Sequence, residues 1–348
     1  MVTAAAIKQR ARALGFDLCG IAPVDTFPEL RFLREWIDRG YNAGMYWLAD
    51  TADRRADVRK LLPDARSVIV FGTVYGSGAK GCAEGRAGAT GTIAQYAASE
   101  DYHVVLQQRL DALLAWMREQ AAEPFEALAH VDGAPVQERV YAQYAGLGWV
   151  GKNTCLINPE LGSFLFLSEI ICTLPLEPDT QGLEQCGSCT RCIDACPTDA
   201  LVESGVLDAN RCISYLTIEN RGPIPLDLRE GIGSHIFGCD ICQVVCPYNG
   251  AGAQPDPAWR PRPGLDLPAL SDLWRRSDEE LQALVKGTPM TRPKLPGLRR
   301  NVAVAIGNSG DPDAVAALAV PYADRPSVDD PIVQEHVAWA LARNHGLP

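Results

Sequence analysis

Along residues 1–176 the apolar positions switch repeatedly between a helical and a strand-like rhythm. In DYHVVLQQRLDALLAWMREQ (101–120), Val105, Leu106, Leu110, Leu113, Leu114 and Met117 recur on one face, which predicts an amphipathic helix. LRFLREWIDRG has the same spacing and stops at Gly40. SVIVFGTVYG (67–76) and SFLFLSEIICTLPL (163–176) are short apolar runs that predict buried strands. EALAHVDGAP reads as a strand running into a turn at Asp132–Gly133, and PVQERVYAQYAGLGWVGKN as a helix halted by Gly146 and Gly148. Strands and helices mix here without the regular spacing of βαβ units. The expected fold class is therefore α+β, with an α/β sandwich at residues 1–176.

The pattern changes near Glu177. Residues 177–255 are rich in cysteine and poor in long apolar runs, which predicts a small ferredoxin-like domain. A proline-rich bridge, AQPDPAWRPRPGLDLP, follows. Residues 256–348 read as short helices with Gly, Asn and Pro at their ends, in the manner of two HEAT-like repeats.

Composition narrows the functional classes. Of the 348 residues 47% are hydrophobic and 22% charged, ordinary for a globular protein of two or three domains. No apolar run of membrane-spanning length occurs, so no membrane association is expected. The start, MVTAAAIKQRARALGF, reads as an amphipathic helix rather than a signal peptide, so a cytoplasmic location is expected. A net charge of −11 argues against a general nucleic-acid coat, though it leaves room for a local basic patch.

In a reducing compartment, clustered cysteines indicate metal or redox work rather than a disulfide framework. Cys186, Cys189, Cys192 and Cys196, followed by Pro197, have the C-x2-C-x2-C-x3-C-P spacing of bacterial ferredoxins. Three thiolates on a tight loop face one cubane, while the fourth turns toward a second. CDICQVVCP supplies Cys239, Cys242 and Cys246, and Cys212 completes the count. The expected assignment is one [4Fe–4S] cluster on Cys186, Cys189, Cys192 and Cys246, and another on Cys196, Cys212, Cys239 and Cys242. Two structural zinc sites are the competing reading, but zinc favours separated cysteine pairs. Cys19, Cys82, Cys155 and Cys172 lie in apolar or glycine-rich contexts and read as small buried hydrophobes.

The first 176 residues hold no dinucleotide fingerprint and no P-loop; GTVYGSGAKG (72–81) reads as a flexible crossing. DYHVVL approaches the cobalt-ligating pattern D-x-H-x-x-G, but Leu106 stands at the glycine position, so His103 is not expected to ligate cobalt. Asp132, at a strand end, serves either as a turn former or, inside an apolar cavity, as a proton donor.

Taken together, HVDGAPVQERVYAQYAGLGWVGKNTCLI, the eight-cysteine array, CISYLTIENRGPIP and LPGLRRNVAVAIGN resemble the epoxyqueuosine reductase family. The resemblance runs from ALGFDLCGIAPVD to the helical tail. It implies reduction of epoxyqueuosine to queuosine at the tRNA wobble position, with cobalamin and two [4Fe–4S] clusters as cofactors. It implies that Asp132 donates a proton and lies against the cobalamin. It places Arg55, Gln95, Tyr102, His103, Asn153, Thr154, Leu156, Ser214, Asp240 and Ile241 among the cofactor contacts, with Tyr102 and His103 toward substrate.

The implied reaction needs two electrons, two protons and loss of water, with low-valent cobalt attacking or reducing the strained ring. The protein is expected to be a monomer that receives electrons from an external donor such as a flavodoxin or ferredoxin. A reductive dehalogenase and a ferredoxin-like electron-transfer protein are the alternatives. Between Gly287 and Gly310 there is no acidic residue, whereas Arg292, Lys294, Arg299 and Arg300 are basic. These four, with Arg221, are the expected contacts for a tRNA anticodon stem-loop.

Overall fold

The computed structural model describes residues 2–77, 89–250, 255–320 and 324–344. Its main sheet has four antiparallel strands, β1 (Leu18–Pro23), β2 (Ser67–Val74), β3 (Ala127–His130) and β4 (Leu165–Cys172), in the order β1-β2-β4-β3. Every residue of β2 is buried. The reason is that the strand is central and helices cover both of its faces, so alternation between polar and apolar positions disappears.

On one face, Ile69, Phe71, Ile170 and Cys172 pack against Ile7 and Ala11 of helix α1 (Ala4–Ala13) and Leu106, Leu110 and Leu113 of α2 (Tyr102–Gln120). On the other, Val68, Val70 and Ile171 meet Phe27, Leu30 and Tyr141, the last from α3 (Glu138–Tyr144). The approach is close at Gly20 of β1, where an added Cβ would lie 2.0 Å from the Ala145 carbonyl oxygen. The start of α2 is capped by Asp101, whose carboxylate accepts the His103 amide.

Short elements carry the cysteine region, among them α4 (Ile213–Ile218) directly after Cys212. The tail is helical, with α5 (Leu270–Arg275), α6 (Lys294–Ser309) and α7 (Pro331–Asn344). Helix α6 is buried continuously from Leu298 to Gly307. A Cβ at Gly307 would come within 2.8 Å of the Ala340 Cβ, so the small residues of NVAVAIG admit α7 at short range. Tail residues Trp274, Val302 and Ala305 share one core with Ile93, Ala97, Ile236 and Phe237. No helix among the described residues is long and apolar enough to cross a membrane.

Two expected RNA contacts are corrected here. Arg299 and Arg300 are 0% and 1% exposed. Arg299 donates to the carbonyls of Leu273, Trp274 and Arg276 and to Asp278. Arg300 donates to the carbonyls of Asn220, Gly222 and Leu216. Both guanidinium groups bind backbone oxygens of neighbouring segments, so neither faces solvent.

Candidate functional site

Asp132 follows β3 with φ at +51°, a left-handed conformation that is costly for a residue with a Cβ. Its amide donates to Glu138 Oε1 at 3.0 Å. Its Oδ2 accepts the Tyr102 hydroxyl at 2.6 Å, and His103 Nε2 lies 3.9 Å away. The Asp132 side chain is 59% exposed, so protein atoms alone do not enclose it. Burial and the Asp132 carboxylate raise the Tyr102 pKa far above the usual range, which keeps the phenol protonated. The hydrogen bond to Asp101 raises the pKa of His103. Its ring stacks on Tyr102 at 4.1 Å.

An aromatic chain leads inward from this carboxylate. Tyr102 lies edge-on to Tyr96, and Tyr96 edge-on to Tyr75, at centroid distances of 6.1 and 6.3 Å. Tyr75, Gln95, Asp240, Ile241 and Trp259 line one cleft. Asp240 Oδ2 accepts the Gln95 amide at 2.7 Å, and burial pushes this carboxyl up to about 6. Arg55 donates to Thr51 Oγ1 and the Val136 carbonyl, both at 3.0 Å, on the segment leading back to Asp132. Asn153 is buried and donates to the Cys242 carbonyl, and Thr154 beside it has φ +63°.

Two further expected cofactor contacts sit beside the thiol region and the sheet core. The Leu156 side chain is 3% exposed and packs with Leu147 and Ile171. Ser214 hydrogen-bonds to the Cys212 thiol, which places it beside the second thiol set.

The eight cysteines stand in two neighbourhoods. Cys246 lies among Cys186, Cys189 and Cys192, around a cavity of about 320 Å³ also lined by Lys152 and Tyr248. Lys152 Nζ donates to the carbonyls of Gly187 and Cys189, holding that loop. Trp149 Nε1 donates to Cys186 Sγ at 3.4 Å. Cys196, Cys212 and Cys239 are mutual neighbours, and Cys242 lies beside Cys212 and Cys239. Among the described residues, no three His, Cys, Asp or Glu side chains converge on a point suited to one metal ion. The space among Cys186, Cys189, Cys192 and Cys246 has the thiol ligands that a polynuclear iron–sulfur cluster takes.

Sequence reasoning passed over three groups. Cys155, expected among buried hydrophobes, lies beside Cys242, whose thiol lowers the Cys155 pKa to about 7. Glu138 and Glu169 lie close to Asp132, and the signal for Glu169 was a lone charge within the apolar run SFLFLSEIIC. Cys172 is buried and Cys19 half-buried, and desolvation raises their pKa values to about 11 and about 12. Cys82 and the end of the glycine-rich crossing lie outside the described residues. Of the expected RNA contacts, Arg221, Arg292 and Lys294 are at the surface. Arg221 and Arg292 both pair with Glu219, and the Arg292 guanidinium sits 5.5 Å from the Trp47 ring centroid.

Residues 55–133 match the family model described as "Epoxyqueuosine reductase QueG, DUF1730", and residues 185–249 match "4Fe-4S double cluster binding domain". An epoxyqueuosine reductase of Xanthomonas campestris is 41% identical, covering 99% of this chain and 96% of its own. One from Pseudomonas aeruginosa is 39% identical over 99% of this chain and 94% of its own. A crystal structure of epoxyqueuosine reductase with an epoxyqueuosine-modified tRNA stem loop superposes with a TM-score of 0.86. It is 30% identical and the match covers 98% of this chain and 89% of that one.

Proposed function

The chain belongs to the epoxyqueuosine reductase family, and from that premise we infer that it reduces epoxyqueuosine to queuosine in tRNA. The observation that carries this reading is the joining, in one molecule, of a hydrogen-bonded Asp132–Tyr102 pair to two neighbourhoods of four thiols. A dehalogenase or a bare electron carrier is not favoured, because the relatives matched over almost the whole chain are epoxyqueuosine reductases.

The thiol sets would hold two [4Fe–4S] clusters, with Cys246 crossing to the first set and Cys196 to the second. Cobalamin would be held on the side of Tyr75, Gln95, Asp240 and Ile241, where apolar walls stand beside a few polar groups. When bound, it supplies low-valent cobalt able to reduce a strained C–O bond.

The chain's own residues handle protons and position. Asp132 donates a proton to the oxygen on which negative charge develops as the ring opens. Tyr102 aims the Asp132 carboxyl through Oδ2, and Arg55 secures the segment ending at Val136. Conversion of an epoxide to an alkene consumes two electrons and two protons and releases one water. After the first transfer, the exposed Asp132 can be recharged from solvent.

We place the anticodon stem-loop across Arg221, Arg292 and Lys294 and the C-terminal helices, read as HEAT-like repeats. In this reading residues 1–176, 177–255 and 256–348 serve as catalytic, cluster and RNA-binding parts. The working protein is taken as a cytoplasmic monomer fed by a flavodoxin or ferredoxin. The test is anaerobic incubation with reductant and an epoxyqueuosine-bearing stem-loop, read by mass spectrometry. Loss of one oxygen mass from the base, in protein holding about eight irons, is expected. An unchanged base with full cofactor loading would overturn the reading.

A further inference from the structure

Glu169 lies in the interior of β4, paired with Val70 of β2 and His130 of β3. It is 0% exposed, and among the described residues neither carboxyl oxygen has an amide, amine or hydroxyl donor. Its bonding partner is another carboxyl, that of Glu138 at the start of α3. Two carboxyl groups in contact form a hydrogen bond only when one of them carries a proton. Glu138 in turn accepts the amide of Asp132, the residue with the left-handed backbone.

We propose that Glu138 and Glu169 share one proton and act together as the positioning device for Asp132. The reading of Asp132 as the proton donor is the ground on which this rests. Glu169 anchors Glu138 from the sheet face on which α3 packs. Glu138 pins the Asp132 amide and so offsets the strain of its backbone. Tyr102 then fixes the carboxyl of a residue whose main chain is already held. None of these steps needs Glu138 or Glu169 to touch substrate.

The surroundings favour the protonated pair. Around it stand Asp132 and the cations Arg55 and Arg139, with His103 beyond. Arg55 is committed to Thr51 and Val136 rather than to Glu169. Although part of residue Glu138 reaches solvent, its carboxyl is enclosed, and burial together with Asp132 pushes it up to about 7. Burial and Glu138 raise Glu169 well above the carboxylate range. As pH rises and the shared proton leaves, two adjacent anions repel, and Glu138 loses its anchor.

The test uses the full-length, cluster-loaded protein under anaerobic conditions. Glu169→Gln supplies an amide that donates to Glu138 without a titrating proton. Because the native pair binds its proton more tightly than the unfolded chain, its stabilisation is present at low pH and fades as pH climbs toward neutrality. The thermal midpoint of wild-type protein should therefore fall more steeply from pH 5 to pH 8 than that of Glu169→Gln. In the stem-loop assay, Glu138→Ala should lower kcat by roughly a hundredfold, as expected for misplacing a general acid. Glu138→Gln should recover a large part of that loss, since its amide oxygen still accepts the Asp132 N–H, and KM should hardly change in either. Parallel midpoint curves for wild type and Glu169→Gln, or an unaltered kcat in Glu138→Ala, would overturn the proposal. If wild-type protein fails to convert the RNA, the functional reading falls, and the midpoint curves alone decide whether the pair shares a proton.

Discussion

At the scale of single residues, two side chains separate chemistry from architecture. Asp132→Asn keeps the shape and the Tyr102 contact but removes the transferable proton. Turnover should fall by roughly a hundredfold or more, the range for general acids, while iron content stays at the wild-type level. Iron analysis beside the mass-spectrometric assay checks both halves. Arg300 shows the opposite case. Its guanidinium satisfies three backbone carbonyls from the Leu216–Gly222 segment, and desolvation holds its pKa down to about 10. Arg300→Ala should destabilise the protein by roughly 3 kcal/mol or more, because buried acceptors lose their donor. Denaturant unfolding measures this, and a lost tRNA affinity in that variant would report unfolding rather than a missing phosphate contact.

At the scale of elements, the contacts of α7 carry a pH dependence. His336, 0% exposed, accepts the Ile224 amide at Nε2 (3.1 Å), while Nδ1 lies 2.6 Å from the Ile332 carbonyl. That arrangement requires the neutral ring, with Nδ1 as donor. Burial, with the charges of Arg229 and Arg300, lowers its pKa to about 4. Between pH 4 and 6.5 the unfolded chain binds the proton more readily, so stability rises with pH through this window and levels off above it. The contribution reaches at most about 3 kcal/mol. His336→Gln should flatten that rise relative to wild type in pH-dependent unfolding. A rise of unchanged size would show that the α7 contacts do not depend on this ring. The same element scale explains where helix and strand were legible in the sequence. The run 163–176 folds as β4 (Leu165–Cys172), and 101–120 as α2 beginning at Tyr102. Both patterns are local, and local periodicity suffices when one face or two must be buried.

At the scale of the whole molecule, the proposed RNA contact asks a protein of net charge −11 to meet phosphates with a limited cationic surface. With Arg299 and Arg300 committed to the interior, Arg292 and Lys294 remain from the acid-free stretch. Arg292 also competes with its pairing to Glu219, at 2.9 Å, and sits by Trp47. Arg292→Ala combined with Lys294→Ala should weaken stem-loop binding and reduce the salt slope by roughly one to two ions released. Cluster absorbance should be unaffected. Fluorescence titrations across a salt series measure the slope, and a wild-type slope would move the RNA surface away from these two side chains.

The sequence by itself determined the class of cofactor chemistry, because cluster ligation demands thiols at short, regular separations that are visible in C-x2-C-x2-C-x3-C-P. It also determined the buried strands and the position of Asp132 beyond one of them, since both are matters of neighbouring residues. Tertiary structure alone decided the fate of every charge whose partner is distant in the chain. Arg300 meets carbonyls some eighty residues away, and Glu169 meets Glu138 across the sheet face. A charged residue in a sequence carries the same letter whether it faces water, phosphate or a buried carbonyl. Only packing sets the desolvation cost and supplies the partner that offsets it.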